Sequence, residues 1–286
     1  MANLKEIRNR IASVSSTMQI TSAMKMVSAA KLKKAQDAIT AMRPYSDKLT
    51  ELLQTLSATI DSEISNKYSE QREVNKVLIV AITSNRGLCG AFNSNIIKEV
   101  NNLAKIKYAG KDVSYLVVGK KANDAFKKTN KIVGNKSEIF DDLTFENVSV
   151  IAESLMQQFV AGEYDRIDIV YNQFKNAATQ IVTTEQFLPI SPIEVEKEVN
   201  TEYIFEPSKL EIIDQLIPKS LKNQLFKGLR DSFASEHGAR MTAMHKATDN
   251  ATELRDQLKL TYNKARQASI TNEILEIVGG AEALND

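Results

Sequence analysis

From Leu4 to Met42 the chain carries a seam at alternating steps of three and four: Leu4, Ile7, Ile11, Val14, Met18, Thr21, Lys25, Ser28, Leu32, Ala35, Ile39 and Met42. The seam is apolar at both ends and polar at Thr21, Lys25 and Ser28. Such spacing predicts a helix whose stripe packs along a second helix. Over residues 3–43 it would be roughly 60 Å long. Where the seam turns polar, the apolar residues move outward. In Ile20–Leu32, "ITSAMKMVSAAKL", the residues Ile20, Ala23, Met24, Met26, Val27, Ala29, Ala30 and Leu32 spread around the whole circumference. A helix apolar on every side is stable in water only when other protein surrounds it. Pro44 follows the last seam position and predicts a stop or kink at Arg43–Pro44. Helix then resumes through Leu49, Leu52, Leu53 and Leu56.

The C-terminal part repeats the pattern at Met244, Ala247, Ala251, Leu254, Leu258, Thr261, Ala265, Ala268, Asn272 and Leu275, with alanines that let a partner helix approach closely. No proline follows Pro218, so a helix from Lys219 could extend roughly 85–90 Å before fraying at Gly279–Gly280. The two terminal helices most simply pair with each other. Because the middle of the chain joins them, an antiparallel pair is expected.

In the middle the period changes. "KVLIVAIT" (Lys76–Thr83) and "VSYLVVG" (Val113–Gly119) are nearly continuous apolar runs, as in strands buried on both faces. "NSNIIKEVNNLAK" (Asn93–Lys105) and "NVSVIAESLMQQFVAG" (Asn147–Gly162) are amphipathic helices, with a further helix through Ala122 and Phe126. "RIDIVYNQF" (Arg166–Phe174) and "TQIVTTEQFLPI" (Thr179–Ile190) read as a strand hairpin about a Lys175–Ala178 turn. Alternating strand and helix predicts an α/β sheet domain. The expected organisation is an N-terminal coiled-coil helix over 1–60, a Rossmann-like α/β domain over 74–190, a connecting loop over 191–218 and a C-terminal coiled-coil helix over 219–286. The fold class is α/β, with a long antiparallel coiled coil of the terminal helices.

Composition narrows the function. A net charge of +1 over 286 residues argues against a nucleic-acid binder. The charge is uneven, however. Residues 1–50 carry Lys5, Arg8, Arg10, Lys25, Lys31, Lys33, Lys34, Arg43 and Lys48 against Glu6, Asp37 and Asp47. A basic rod of this kind suits either a solvated face or an acidic-lined partner. Cys89 is the only cysteine, which excludes an internal disulfide and points to a reducing compartment. No run reaches the roughly 18–20 apolar residues of a membrane helix. The basic, Ser-rich start resembles a transit peptide only superficially, because the same residues fit the seam.

Signals for chemistry are weak. "TSNRGLCGAFNSN" (Thr83–Asn95) is a glycine loop between strand and helix, a place where backbone N–H groups can cradle phosphate. It has only Gly87-x-x-Gly90, and Phe92 and Asn93 stand where a phosphate loop needs Lys and Ser/Thr. The loop reads better as a tight turn that meets a partner, with Arg86 and Cys89 as contact residues and Cys89 behaving as a small hydrophobe. His237 and His245 lie eight residues apart, too far for an i, i+4 metal pair, and read as helix-face residues. No nucleophile turn is present. Glu273 and Glu276 share a helix face without the surroundings of an acid/base pair. No cofactor or metal is expected.

Three segments together, "MANLKEIRNRIASVSSTMQITSAMKMVSAAKLKKAQ", "SNRGLCGAFN" and "SEHGARMTAMHKATDNATELRDQLKLTYNKARQASITNEILEIVGGAEAL", resemble the gamma subunits of rotary ATP synthases. The C-terminal signature Ile270-Thr271-x-Glu273-x-x-Glu276-x-x-x-Gly280-Ala281-x-Ala283 matches throughout. The resemblance covers the chain in order and is least distinctive over about 120–215. It implies a shaft standing in a ring of catalytic (beta) and non-catalytic (alpha) subunits. The α/β domain would lie against the epsilon subunit and the membrane rotor ring of c subunits. Ion flow would be coupled by rotation to ATP synthesis or hydrolysis on the ring, with no catalysis on this chain and no membrane insertion. By resemblance, Met24, Lys25, Arg240, Gln267, Thr271 and Glu273 match positions that contact the ring, and Lys25 and Arg240 would offer charge to its carboxylates. The cysteine pair of plastid members is lacking. The match begins at Met1-Ala2, so the resemblance implies a bacterial protein peripheral to the cytoplasmic face of the inner membrane. The alternatives are a non-rotary coiled-coil scaffold and a nucleotide-dependent enzyme using the Gly87–Gly90 turn.

Overall fold

In the computed structural model, residues 4–58, 67–128, 130–190, 206 and 209–282 are described. Two compact units result, one of Met1–Ser28 with Met241–Asp286 and one of Ala29–Arg240.

The first unit is a helix pair made by the start of α1 (Leu4–Ala58) and the end of α5 (Lys209–Glu282). Arg8 donates to the Tyr262 hydroxyl (2.8 Å), Met18 Sδ meets Thr252 Oγ1 (3.3 Å), and the Thr21 and Thr248 hydroxyls meet at 2.8 Å. Each step forward on α1 is thus a step back on α5, so the pair is antiparallel. The α1 seam is where periodicity placed it: Ile7, Thr21 and Ser28 are buried, and Leu4, Ile11, Val14, Met18 and Lys25 half-buried. The polar section satisfies itself by back-bonding to its own helix: Ser28 Oγ donates to Met24 O (2.7 Å) and Thr248 Oγ1 to Met244 O (2.8 Å).

On α5 the seam differs from the sequence expectation. Leu254, Thr261, Ala268, Asn272 and Leu275 are exposed. The positions turned inward are Met244, Thr248, Ala251, Arg255, Leu258, Tyr262, Ala265 and Ser269, with Ala247 and Thr252 beside them. A pattern scored on apolarity passes over Arg255 and Tyr262. Their long stems nevertheless cover apolar surface while their polar ends find partners, Arg255 at Met18 Sδ (3.4 Å) and Tyr262 at Arg8.

The second unit is built on a five-stranded sheet. Its strands are β1 (Lys76–Ile82), β2 (Asp112–Val118), β3 (Lys131–Asn135), β4 (Arg166–Phe174) and β5 (Gln180–Leu188), in spatial order β3-β2-β1-β4-β5. All pairs are parallel except the β4–β5 hairpin. β1 lies at the centre, and its alternation divides the core. Leu78, Val80 and Ile82 face α4 (Phe145–Val160) and Leu221, Leu225 and Leu229 of α5. Val77, Ile79 and Ala81 face α2 (Phe92–Asn102) and α3 (Lys120–Phe126). Burial on both faces is the reason these strands read as apolar runs. The edge strand β3 was not anticipated. It is five residues long, only half-buried on alternate positions and interrupted by Gly134, so it carries little hydrophobic signal. α2 runs on through a π-helical turn, Leu103–Lys107, where Tyr108 N reaches Leu103 O at 2.9 Å.

Two expectations about proline are corrected. α1 does not stop at Pro44 but continues through it to Ala58. α5 begins at Lys209 and takes in Pro218, ten residues before the expected Lys219 start. A proline inside a helix costs about 3 kcal/mol. In this unit α1 buries Ile39 and Leu49 on either side of Pro44, worth about 1.5–3 kcal/mol each. Ser46 also accepts from Asn223 Nδ2 of α5 at 2.9 Å. Tertiary burial therefore offsets the local penalty. Most of the loop expected over 191–218, residues 191–205, lies outside the described residues.

Candidate partner-contact surfaces

In the helix-pair unit, the large apolar side chains on the outer face of the segment with no wet face stand exposed among the described residues. Ile20 is 60% exposed, Met26 65% and Val27 58%. Met24 and Lys25 are half-buried between this outer surface and the seam. Their neighbours on the seam are small or hydroxylic, so the bulky apolar side chains fall on faces that α5 does not reach. Towards the end of α5, Gln267, Thr271 and Glu273 are all exposed. The Thr271 hydroxyl donates to Gln267 O at 2.9 Å and Ser269 reaches Glu273 Oε1 at 3.5 Å. Ile270, Ile274, Leu275, Ile277 and Val278 are exposed among them. Large apolar side chains at this density mark an interaction surface. Of the residues expected at the ring, five lie in this unit and are accessible from outside it.

The sixth, Arg240, is in the α/β unit and is not an accessible cation. It is 7% exposed. Nη1 pairs with Glu236 Oε1 one turn back at 2.7 Å, and Nη2 donates to Arg86 O at 3.0 Å and Gly87 O at 3.3 Å. These carbonyls belong to the loop after β1. The loop is also held from within. Ser84 Oγ donates to Arg86 O (2.6 Å) and accepts from Asn93 Nδ2 (2.8 Å), and Asn93 Oδ1 accepts from Ser84 N (2.9 Å). Asn85 links it to its neighbours, accepting from Lys120 N (3.0 Å) and donating to Ser137 O (2.9 Å). The two ends of the parallel strands meet closely at Gly119, whose φ is +114° and where an added Cβ would stand 2.2 Å from Thr83 O.

This loop presents different side chains from those expected. Arg86 is exposed. Cys89 is turned in, 1% exposed, against Phe92 and Ala239. Burial pushes its thiol pKa up, partly countered by Ser84 and Arg240. Cys89 does behave as a small hydrophobe, but it is a core residue and not a contact. The residue missed is Leu88, 66% exposed with φ +62°. An exposed leucine in left-handed backbone has no periodic signature, because neither helix nor strand spacing applies to a tight turn.

Below the loop, Glu236 and His237 are buried. Burial pushes the Glu236 carboxyl up, while Arg240, Lys31 and Arg86 pull it back. Burial, then Arg240 and Lys31, lowers the His237 imidazole to about 3. His245, by contrast, is an exposed helix-face residue paired with Asp249 at 3.2 Å. Glu273 and Glu276 are both exposed. No helix among the described residues is long and apolar enough to cross a membrane.

The family model described as ATP synthase matches residues 3–284. A chain named ATP synthase gamma chain from Flavobacterium psychrophilum is 74% identical over 285 residues, covering 99% of both chains. Another of that name from Flavobacterium johnsoniae is 73% identical over 286 residues, covering 100% of both. Among solved structures, a central stalk and c-ring assembly of the Tetrahymena thermophila mitochondrial ATP synthase contains a chain at TM-score 0.59 and 27% identity, matched over 80% of this chain and 99% of that one. A chain of the Euglena gracilis mitochondrial ATP synthase shares the fold at TM-score 0.69 and 21% identity, over 98% of this chain and 94% of that one. With end-to-end matches at this identity, a paired-helix unit and a doubly wound sheet, the chain belongs to the ATP synthase gamma-chain family.

Proposed function

We propose that the chain is the central rotor shaft of a bacterial ATP synthase, coupling ion flow through a membrane ring of c subunits to ATP synthesis or hydrolysis on surrounding alpha and beta subunits. The helices Leu4–Ala58 and Lys209–Glu282 supply the shaft. Residues 74–190 form the base, against the epsilon subunit and the c ring. The chain performs no catalysis itself and is peripheral to the cytoplasmic face of the inner membrane. Met24, Lys25, Gln267, Thr271 and Glu273 meet the ring, and Arg86 meets a partner at the loop after β1.

The observation that carries this reading is the exposure of Ile20, Met26 and Val27 on a helix whose inner seam is polar at Thr21 and Ser28. Bulk apolar surface has been moved from the inside of a helix pair to its outside. A helix pair that only had to hold itself together would gain about 1.5–3 kcal/mol per large side chain by the reverse arrangement. Methionine suits a surface that must slide past changing neighbours, being unbranched and polarizable. The unequal faces of the shaft put surrounding sites into different states in turn. The contacts must be individually weak, so that the shaft turns instead of sticking.

The test is a reconstituted complex carrying Lys25→Glu. ATP synthesis is expected to fall while assembly is retained, because a carboxylate would replace the cation that meets carboxylates on the ring. The competing reading, a non-rotary scaffold, makes the opposite prediction for the shaft end. Truncation deep into residues 244–275 is expected to abolish coupling, and full ATP synthesis by that truncated form would favour the scaffold.

A further inference from the structure

We propose that Arg240 is a positioning residue inside the chain: together with Glu236 it latches the loop after β1, keeping Cys89 inward and Leu88 outward. Three observations support it. The guanidinium is buried, and its donors are committed to Glu236 and to the carbonyls of Arg86 and Gly87, at 2.7–3.3 Å. These carbonyls lie immediately before Leu88, the one described non-glycine residue with positive φ. Left-handed backbone at a leucine is unfavourable and persists only where its surroundings hold it. Finally, Cys89 packs against Ala239, the residue before Arg240, so the same turn of α5 grips the loop twice.

Arginine is suited to this task. Its planar fork can bond two successive carbonyls and a carboxylate at once, whereas a lysine ammonium acts as a single point. The Glu236 carboxylate keeps the fork oriented and balances its buried charge. A cation placed there to reach an external partner would have to abandon all of these contacts. The loop's outward group is therefore an apolar knob, Leu88, beside the Arg86 side chain. Only the question of what Leu88 meets rests on the rotor reading; the latch itself is a property of this chain.

The single cysteine provides the assay. The full chain is treated with a thiol reagent at a series of urea concentrations below unfolding, and the labelling rate of Cys89 is followed by mass spectrometry. The tyrosine near-ultraviolet circular dichroism signal reports global unfolding in parallel. In the unaltered chain labelling is slow. Arg240→Ala is expected to speed it at least about tenfold, with little dependence on urea, as in a local opening that exposes little surface. Arg240→Lys should fall between. Leu155→Ala, in the opposite core layer, is the control. It lowers global stability, so any faster labelling should rise steeply with urea. The latch is refuted if Arg240→Ala labels at the unaltered rate, or if its labelling follows the global unfolding curve as the control does. Because this assay needs no ring, a negative result would leave the rotor reading standing. Lost effect of Lys25→Glu on synthesis would sink the rotor reading while leaving the latch.

Discussion

Mild acid should weaken the α/β unit through one imidazole. His237 lies edge-on to Phe233, with ring centroids 4.5 Å apart, and its Nδ1 is 3.4 Å from Arg240 Nη1. Its Nε2 is buried with no hydrogen-bond partner. Burial, followed by the charges of Arg240 and Lys31, holds the group at about 3 against an ordinary value of 6.5. Between these values the unfolded chain binds a proton that the folded chain refuses. Stability is therefore fully present above 6.5 and lost as pH falls towards 3. Moving from pH 7.5 to pH 5 should cost about 2 kcal/mol, at about 1.4 kcal/mol for each pH step below the unfolded value. Glu236 works in the opposite direction. Burial raises its pKa, so acid relieves an unfavourable charge there. A comparison of the unaltered chain with His237→Phe isolates the imidazole, since Glu236 is common to both. The measurement is urea unfolding in dilute solution at the two pH values, followed through the near-ultraviolet signal of the tyrosines. Tyr68, Tyr108, Tyr115 and Tyr171 are buried in this same unit. The variant should lose about 2 kcal/mol less than the unaltered chain. Equal losses in the two proteins would show that His237 is protonated freely in the fold, and the account of its surroundings would be wrong.

Other perturbations have equally definite outcomes. Gly119→Ala places a methyl group 2.2 Å from Thr83 O at a backbone angle that only glycine adopts freely, and should cost at least about 3 kcal/mol in urea unfolding. Asp168 is fully buried, bonded to the Tyr108 hydroxyl, Lys107 (3.1 Å) and Arg166 (3.0 Å). Asp168→Asn leaves these two cations unbalanced, and because both are partly exposed the loss belongs at the low end, about 3 kcal/mol. In the helix pair, Ala251→Leu overfills a buried seam position and should lower the melting temperature, with a cost of about 1–3 kcal/mol. The free chain, with Ile20, Met26, Val27 and Ile277 uncovered, should self-associate in light scattering. Substituting Met26 and Val27 with glutamine should reduce this while changing helicity little; a monodisperse unaltered chain would count against the surface's role as an interface.

Much of this molecule is legible in the sequence, and for a local reason. A strand buried on both faces is apolar at nearly every step, and so β1 and β2 stand out as runs. A helix that buries one stripe must repeat at steps of three and four, and so the α1 seam is readable down to its polar section. The family signature identified the chain as well, because it is spread over both termini and the glycine loop. Of the expected ring-facing positions, Met24 and Lys25 are half-buried and Gln267, Thr271 and Glu273 exposed in their unit.

What escaped the sequence depended on a second piece of chain. The face of α5 that turns inward was chosen by what α1 offers, so Arg255 and Tyr262 went in and Leu254 and Leu275 stayed out. Pro44 is a helix breaker by its own chemistry, and only the burial of Ile39, Ser46 and Leu49 carries the helix past it. Arg240 reads as a surface cation on a helix until the carbonyls of Arg86 and Gly87 are brought to it from 153 or more residues away. The same approach decides that Cys89 faces in and Leu88 out. Periodicity is a property of one segment in a uniform field, and it reports which elements form. The partner of each side chain is set by the shape and polarity of distant segments, which exist only once the chain has folded.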